Sequence, residues 1–186
     1  MTWGEGAVAG DAAGRWERLF ADLEAQLAAG SAAETRWDVA ELTRAERARV
    51  GLADRLRAST GRRLRVVTTD AGAFEGDLVD AAPQWLLLAS GAGRTALVVV
   101  AALAAVEGLG AHVAPPAGRT ESALGLGHAL RALARDRVGV TVHARGAVLA
   151  GRLERVGADH LDLMPATGPA RPVCVPFDVL QAVVSR

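Results

Sequence analysis

Apolar residues recur along this chain with two periods. In residues 14–29, Trp16, Leu19, Phe20, Leu23 and Leu27 fall on one helical stripe, which Gly30 ends. Ser31-Ala-Ala-Glu34 and Thr43-Arg-Ala-Glu46 both fit the capping box, which predicts one long helix or two shorter ones between about 32 and 59. Residues 124–136 set Leu126, Ala129, Leu130 and Leu133 on one helical face. Elsewhere the period is two: Val138, Val140 and Val142 alternate with Gly139, Thr141 and His143. Further short strands are predicted at 148–156, 160–164, 173–175 and 179–184, and earlier at 64–69, 74–81, 85–90, 96–100 and 103–107.

These two series are one series read twice. Leu52, Leu56, Arg57 and Ala58 recur 74 residues later as Leu126, Leu130, Arg131 and Ala132. The same offset carries Val66 onto Val140 and Gly72 onto Gly146. A one-residue insertion aligns Gly76-Asp-Leu78 with Gly151-Arg-Leu153, and Leu86-Leu-Leu88 with Leu161-Asp-Leu163. Two more residues in a Gly/Pro loop bring Val98 onto Val175, Leu103 onto Leu180 and Val106 onto Val183. Insertions confined to predicted turns are what a structural duplication leaves. Strands this short are expected to curl into small barrels, which remove their edges by closure. The expected fold class is α+β: an N-terminal helical region, then two helix-plus-five-stranded Sm-like or SH3-like small barrels. The expected organisation is a flexible 1–14, a helical region 15–51, a first helix plus barrel 52–110, a linker 111–123 and a second helix plus barrel 124–186.

The repeated pattern, a helix and then "apolar-x-apolar, Gly, x-Gly-x-Leu, turn, x-Leu-x-Leu, loop, Val-x-Val, corner, short strand", resembles the Sm-like family, which includes the Sm and LSm proteins and the bacterial host-factor RNA chaperone. Val66, Gly72, Gly76, Leu78, Leu86, Leu88, Val98, Val100 and Val106 carry the resemblance in the first half. Val140, Gly146, Gly151, Leu153, Leu161, Leu163, Val173, Val175 and Val183 carry it in the second. The whole chain, with Trp16-Glu-Arg-Leu-Phe-Ala-Asp-Leu-Glu near its start, is also similar to a family of actinobacterial proteins, some labelled transcriptional regulators. The Sm-like resemblance implies assembly through the fourth and fifth strands and RNA binding at the turns between strands two and three and at strand five. The base-contacting Met-Asn of that family is replaced here by Gln84-Trp85 and Asp159-His160, and its Arg-Gly by Glu107-Gly108 in the first half. Trp85 or His160 remains as an aromatic platform for a base, and Trp85 as barrel core is the competing reading.

Composition narrows the partners. The 186 residues carry 21 Arg and Lys against 21 Asp and Glu, so no coat of positive charge is expected. Lys, Ile, Asn and Tyr are absent, a codon-composition signature that leaves Arg as the sole strongly basic residue. The neutral total hides segregation: residues 1–42 sum to −5, residues 43–66 to +6 and residues 119–155 to +4. One reading is a basic face on the barrel-leading helices that grips phosphates through Arg55, Arg57, Arg62, Arg63, Arg131 and Arg135. The other is local neutralisation of the basic helix by the acidic one.

Signals of catalysis are weak. The four histidines have no metal-type spacing, and Gly108-Leu-Gly110 and Gly125-Leu-Gly127 lack the strand-to-helix context of a dinucleotide loop. His160-Leu-Asp162 sets two side chains on one strand face, with no nucleophile evident beside them. The single cysteine, Cys174, rules out an intramolecular disulfide and reads as a small buried hydrophobe on a central strand. With no apolar run long enough to span a bilayer and no basic leader, the expected setting is cytoplasmic. The expectation is a non-catalytic, RNA-associated adaptor without cofactor or metal. The alternative is a scaffold that pairs with a second copy or another protein through barrel edges or the Trp16–Leu27 helix. A DNA-binding regulator using the Arg44–Arg57 helix is a weaker third.

Overall fold

Each period-two stretch in the computed structural model becomes a strand. The structure describes residues 50–91, 93–115, 118, 125–168 and 170–185, with Gln26 and Ala48 as isolated positions. Its elements are α1 (Leu52–Arg57), β1 (Arg63–Thr68), β2 (Ala73–Ala81), β3 (Trp85–Ser90), β4 (Arg94–Val99), a 3-10 turn (Val100–Ala102) and β5 (Leu103–Glu107). The second half supplies α2 (Leu126–Arg135), β6 (Gly139–Ala144), β7 (Ala147–Val156), β8 (His160–Pro165), β9 (Val173–Pro176) and β10 (Leu180–Ser185). The chain divides into two units, Met1–Val50 and Gly51–Arg186, and all these elements belong to the second. The expected segments 1–14 and 15–51, with the Trp16–Leu27 stripe, lie outside the described residues apart from those isolated positions and Val50 and Gly51. Val50 and Gly51 are not helical, and Gly51 is extended (φ −77°, ψ 149°). No single helix therefore runs through to residue 59, and an Arg44–Arg57 recognition helix is interrupted.

The two barrels do not form. All ten strands join one open antiparallel sheet in the order β5-β1-β2-β3-β4-β10-β6-β7-β8-β9. The α+β arrangement of an N-terminal helical region and two Sm-like or SH3-like barrels is thus replaced by a single open sheet, with two α-helices among the described residues of Gly51–Arg186. Closure fails because β4 gives its outer edge to β10 rather than to a strand of its own half: Leu97 lies opposite Val183, and Val98 opposite Ala182. Thr95 and Ser185 lock this junction, with the Thr95 N–H donating to Ser185 Oγ at 3.0 Å.

Within the sheet, the strand order of each half is the same: fifth, first, second, third, fourth. α1 packs on β2 as α2 packs on β7. The register slips between Leu78 and Asp80 and again between Leu153 and Arg155. Gly72 and Gly146 both turn at positive φ (83° and 72°). At Gly76 an added Cβ would meet the Ala89 carbonyl, and at Gly151 the Met164 carbonyl, so the same close strand approach excludes a side chain twice. Leu56 and Leu130, Val66 and Val140, Leu86 and Leu161, and Leu88 and Leu163 are all buried pairs.

The halves share a core. Leu86, Leu88 and Val98 face a first cluster with Leu56, Leu64, Val66 and Leu78. Trp85, Leu97 and Val99, on the opposite faces of the same strands, pack with Leu126, Leu130, Val140, Leu161 and Leu163 of the second half. The runs Leu86-Leu-Leu88 and Leu97-Val-Val99 are apolar without alternation because β3 and β4 are covered on both faces. Gln181, 2% exposed, fastens the β1–β2 turn to β10. Its Oε1 accepts from the N–H groups of Asp70 (3.2 Å) and Ala71 (2.8 Å), and its Nε2 donates to Thr69 Oγ1 (3.0 Å) and Asp70 Oδ2 (2.8 Å).

Candidate functional site

Arg55, Arg57 and Arg62 are engaged in holding the fold. Arg57 donates to Asp54 Oδ1 at 2.9 Å and also to the Pro115 carbonyl. Arg55 and Arg62 donate to the carbonyls of Gly110 (3.4 Å) and Gly108 (3.2 Å). Together with the Ala114 N–H donating to the Asp54 carbonyl, these contacts tie the segment after β5 to α1 and the turn that follows it, so the first part of the expected 111–123 linker is tethered by hydrogen bonds. Arg63 is exposed, 3.8 Å from Glu75. Trp85 is 6% exposed and belongs to the shared core, which corrects its reading as a stacking platform.

The second half differs. A groove of about 650 Å³ lies between α2 and β7, lined by Arg131, Arg135, Arg137, Arg152 and Arg155 with His128. Among the described residues that line it, the one acid is Glu154, 4.0 Å from Arg152. Helical spacing puts Arg131 and Arg135 one turn apart on α2. On β7, Gly151 and Leu153 turn inward and Arg152 outward, while the slip between Leu153 and Arg155 leaves Glu154 and Arg155 both exposed. The negative end of the α2 dipole stabilises a cation at Arg135 by ~0.3–1 kcal/mol. That accounts for no charge on the strand. Arg137 is the one non-glycine among the described residues with positive φ, at 52°, just past the helix end. Glycine or asparagine is usual at such a position, so an arginine here is held against a local cost.

Sequence reasoning found Arg131 and Arg135 of this set and missed Arg137, Arg152 and Arg155. The +4 balance of residues 119–155 contained the signal, but only the strand register and the packing of α2 show which of its arginines converge. The duplication supplies an internal contrast. The first-half counterparts of Arg152 and Arg155 are Asp77 and Asp80, and the counterpart of Arg131 is Arg57, already bound to Asp54.

His160 is apart from the groove lining. Its Nδ1–H donates to Asp159 Oδ1 at 2.8 Å, and this bond holds the Asp159 carboxyl below its usual range. Cys174 is exposed and lies on β9, which ends the sheet, so it is neither buried nor central. Desolvation and then the neighbouring Asp162 carboxylate push its thiol above the ordinary value. No described helix is long and apolar enough to cross a membrane. No protein-family model matches the chain, and no curated protein matches its sequence.

Proposed function

We propose that this protein is a non-catalytic binding module that holds the phosphate backbone of single-stranded RNA in the arginine groove between α2 and β7. The observation that carries the reading is the convergence of five guanidiniums on one open groove with a single carboxylate among the described residues that line it. Such a set is repulsive when empty and is relieved by an anion. Guanidiniums stay charged at any physiological pH and fork onto phosphate oxygens in pairs, which suits gripping better than proton transfer. An open groove of this size suits a chain of phosphates rather than one enclosed small anion. The likeness of the repeated unit to Sm-like proteins points toward RNA as the source of those phosphates. The setting proposed for this activity is the cytoplasm.

Binding of the full chain to a labelled single-stranded RNA, measured from 50 to 200 mM salt, tests the proposal. With five contacts at a slope of roughly −0.7 each, affinity should fall about a hundredfold across that range. Arg131→Glu combined with Arg155→Glu should abolish binding, whereas Arg63→Glu, outside the groove, should leave it unchanged. Absence of binding at 50 mM salt would overturn the proposal.

A second reading rests on the sheet ends. Among the described residues, no strand covers the outer edge of β5 or of β9. The β4–β10 pairing inside the chain is the template by which those edges would join two copies. Sedimentation across a concentration series decides it: a strictly monomeric chain removes this reading and leaves the first untouched.

A further inference from the structure

Three potential metal ligands meet at the β9 end of the sheet. His160 and Asp162 are two residues apart on β8 and so share a face, and Asp162 pairs directly with Cys174 on β9. One ligating atom from each lies within 4.8 Å of the other two. At the matching first-half positions stand Trp85, Leu87 and Leu97, whose side chains pack into or against the shared core. Among the described residues no further strand pair covers the second copy of this face, and solvent exposure alone would account for polar residues there. It does not account for an imidazole, a carboxylate and a thiol converging.

The imidazole is also held in place. A Cβ at Gly157 would come within 2.5–2.8 Å of three His160 ring atoms, so the absence of a side chain there is what lets the ring lie against the backbone. The turn beneath it is fixed by the Gly157 N–H donating to the His160 carbonyl (2.9 Å) and the Phe177 N–H donating to the Asp159 carbonyl (2.7 Å). Because a carboxylate only accepts, the Asp159 contact puts the ring proton on Nδ1 and leaves the lone pair on Nε2. A carboxylate behind the imidazole is how metal-ligating histidines are commonly oriented.

We infer that His160, Asp162 and Cys174 form a site for one divalent transition-metal ion of the zinc class, with a fourth position open to water or an added ligand. Thiolate, imidazole and carboxylate together favour zinc or cobalt over the hard cations magnesium and calcium. Bonds of ~2.0–2.3 Å in a tetrahedral site place ligand atoms roughly 3.3–3.8 Å apart. Closing from within 4.8 Å to that spacing requires rotation of the Asp162 and Cys174 side chains toward the fixed imidazole. Binding replaces the thiol proton, which leaves to solvent.

The test is a titration of the untagged, reduced full chain with Co²⁺. Cys174 is the only cysteine, so a thiolate-to-cobalt charge-transfer band reports this site alone. One Co²⁺ per chain should bind, with four-coordinate visible bands, and Zn²⁺ should displace it. Cys174→Ser should remove the charge-transfer band, and His160→Gln and the near-isosteric Asp162→Asn should each weaken binding about tenfold or more. Thermal melting of the metal-free variants separates loss of a ligand from loss of the fold. The inference is overturned by absence of the band, by half an equivalent per chain, or by wild-type affinity in both His160→Gln and Asp162→Asn.

Discussion

Replacing Arg137 by glycine should strengthen the fold and weaken the groove at once. Its φ of 52° is a left-handed conformation that costs an L-residue about 1–2 kcal/mol and glycine nothing. Glycine returns part of that gain, roughly 0.5–1 kcal/mol, through the larger entropy of its unfolded chain. The net is a stabilisation of about 0.5–1 kcal/mol, with relief of repulsion among the groove arginines adding to it. At ~2–4 °C per kcal/mol for a chain of this size, the melting temperature should rise by about 1–4 °C. Loss of one phosphate contact should flatten the salt slope by about 0.7. Extrapolated from a 1 M reference, that is about eightfold weaker binding at 50 mM salt and about threefold at 200 mM.

The opposite signs make this variant decisive. Urea denaturation and RNA titration on the same preparation read both quantities. A less stable variant would refute the strain argument. A more stable variant that keeps the wild-type slope would keep the strain but remove Arg137 from the phosphate-binding set.

Two further outcomes concern the joint between the halves. Gln181→Leu leaves the Asp70 and Ala71 N–H groups without their acceptor and should cost about 2–4 kcal/mol, read as a lower urea midpoint at unchanged slope. His143 packs edge-on to Phe74, its buried Nδ1 has no hydrogen-bond partner among the described residues, and burial lowers its pKa below the ordinary 6.5. The unfolded chain therefore binds the proton more readily, so this contribution is intact above pH 6.5 and is lost as pH falls through that value toward the folded one. Glu75 and Arg94 line the same pocket, and His143→Leu should remove this component of the acid-side decline.

The repeat was legible because its constraints are local. Gly72 and Gly146 set turns, Gly76 and Gly151 admit a neighbouring carbonyl, and Leu56 and Leu130 fill equivalent core sites. Closure was not legible, because whether β4 pairs within its own half is a long-range choice that strand patterns do not encode. One clue was present. Leu86-Leu-Leu88 and Ala96-Leu-Val98 are continuous where Leu161-Asp-Leu163 and Val173-Cys-Val175 alternate, and continuity marks burial on two faces. Read that way, it places Trp85 in the core and Cys174 outside it. The arginine groove was half legible: α2 yields Arg131 and Arg135 by helical spacing, but Arg152 joins them only through the packing of α2 on β7, and Arg155 through a register slip that no pattern announces.

The duplication also explains why both proposed sites fall in the second half. Positions that make the fold are shared between the copies and cannot diverge without loss of the core. Positions on the outer faces of β3 and β4 are consumed in the first copy by the second copy packed on them, as Trp85 and Leu97 show. Their second-half equivalents, His160 and Cys174, carry no such duty. On the helix side, the first copy's arginines are tied to the segment that follows β5, whereas the Arg131–Arg155 set is open. If this division of labour is right, charge-reversing substitutions at Asp77 and Asp80 should add basic surface to the first half without creating a second RNA site. The Arg57 guanidinium they would need as a partner is held by Asp54 and Pro115. Two RNA molecules bound per chain in an Asp77→Arg/Asp80→Arg variant would show instead that charge, and not the engagement of Arg57, is what distinguishes the halves.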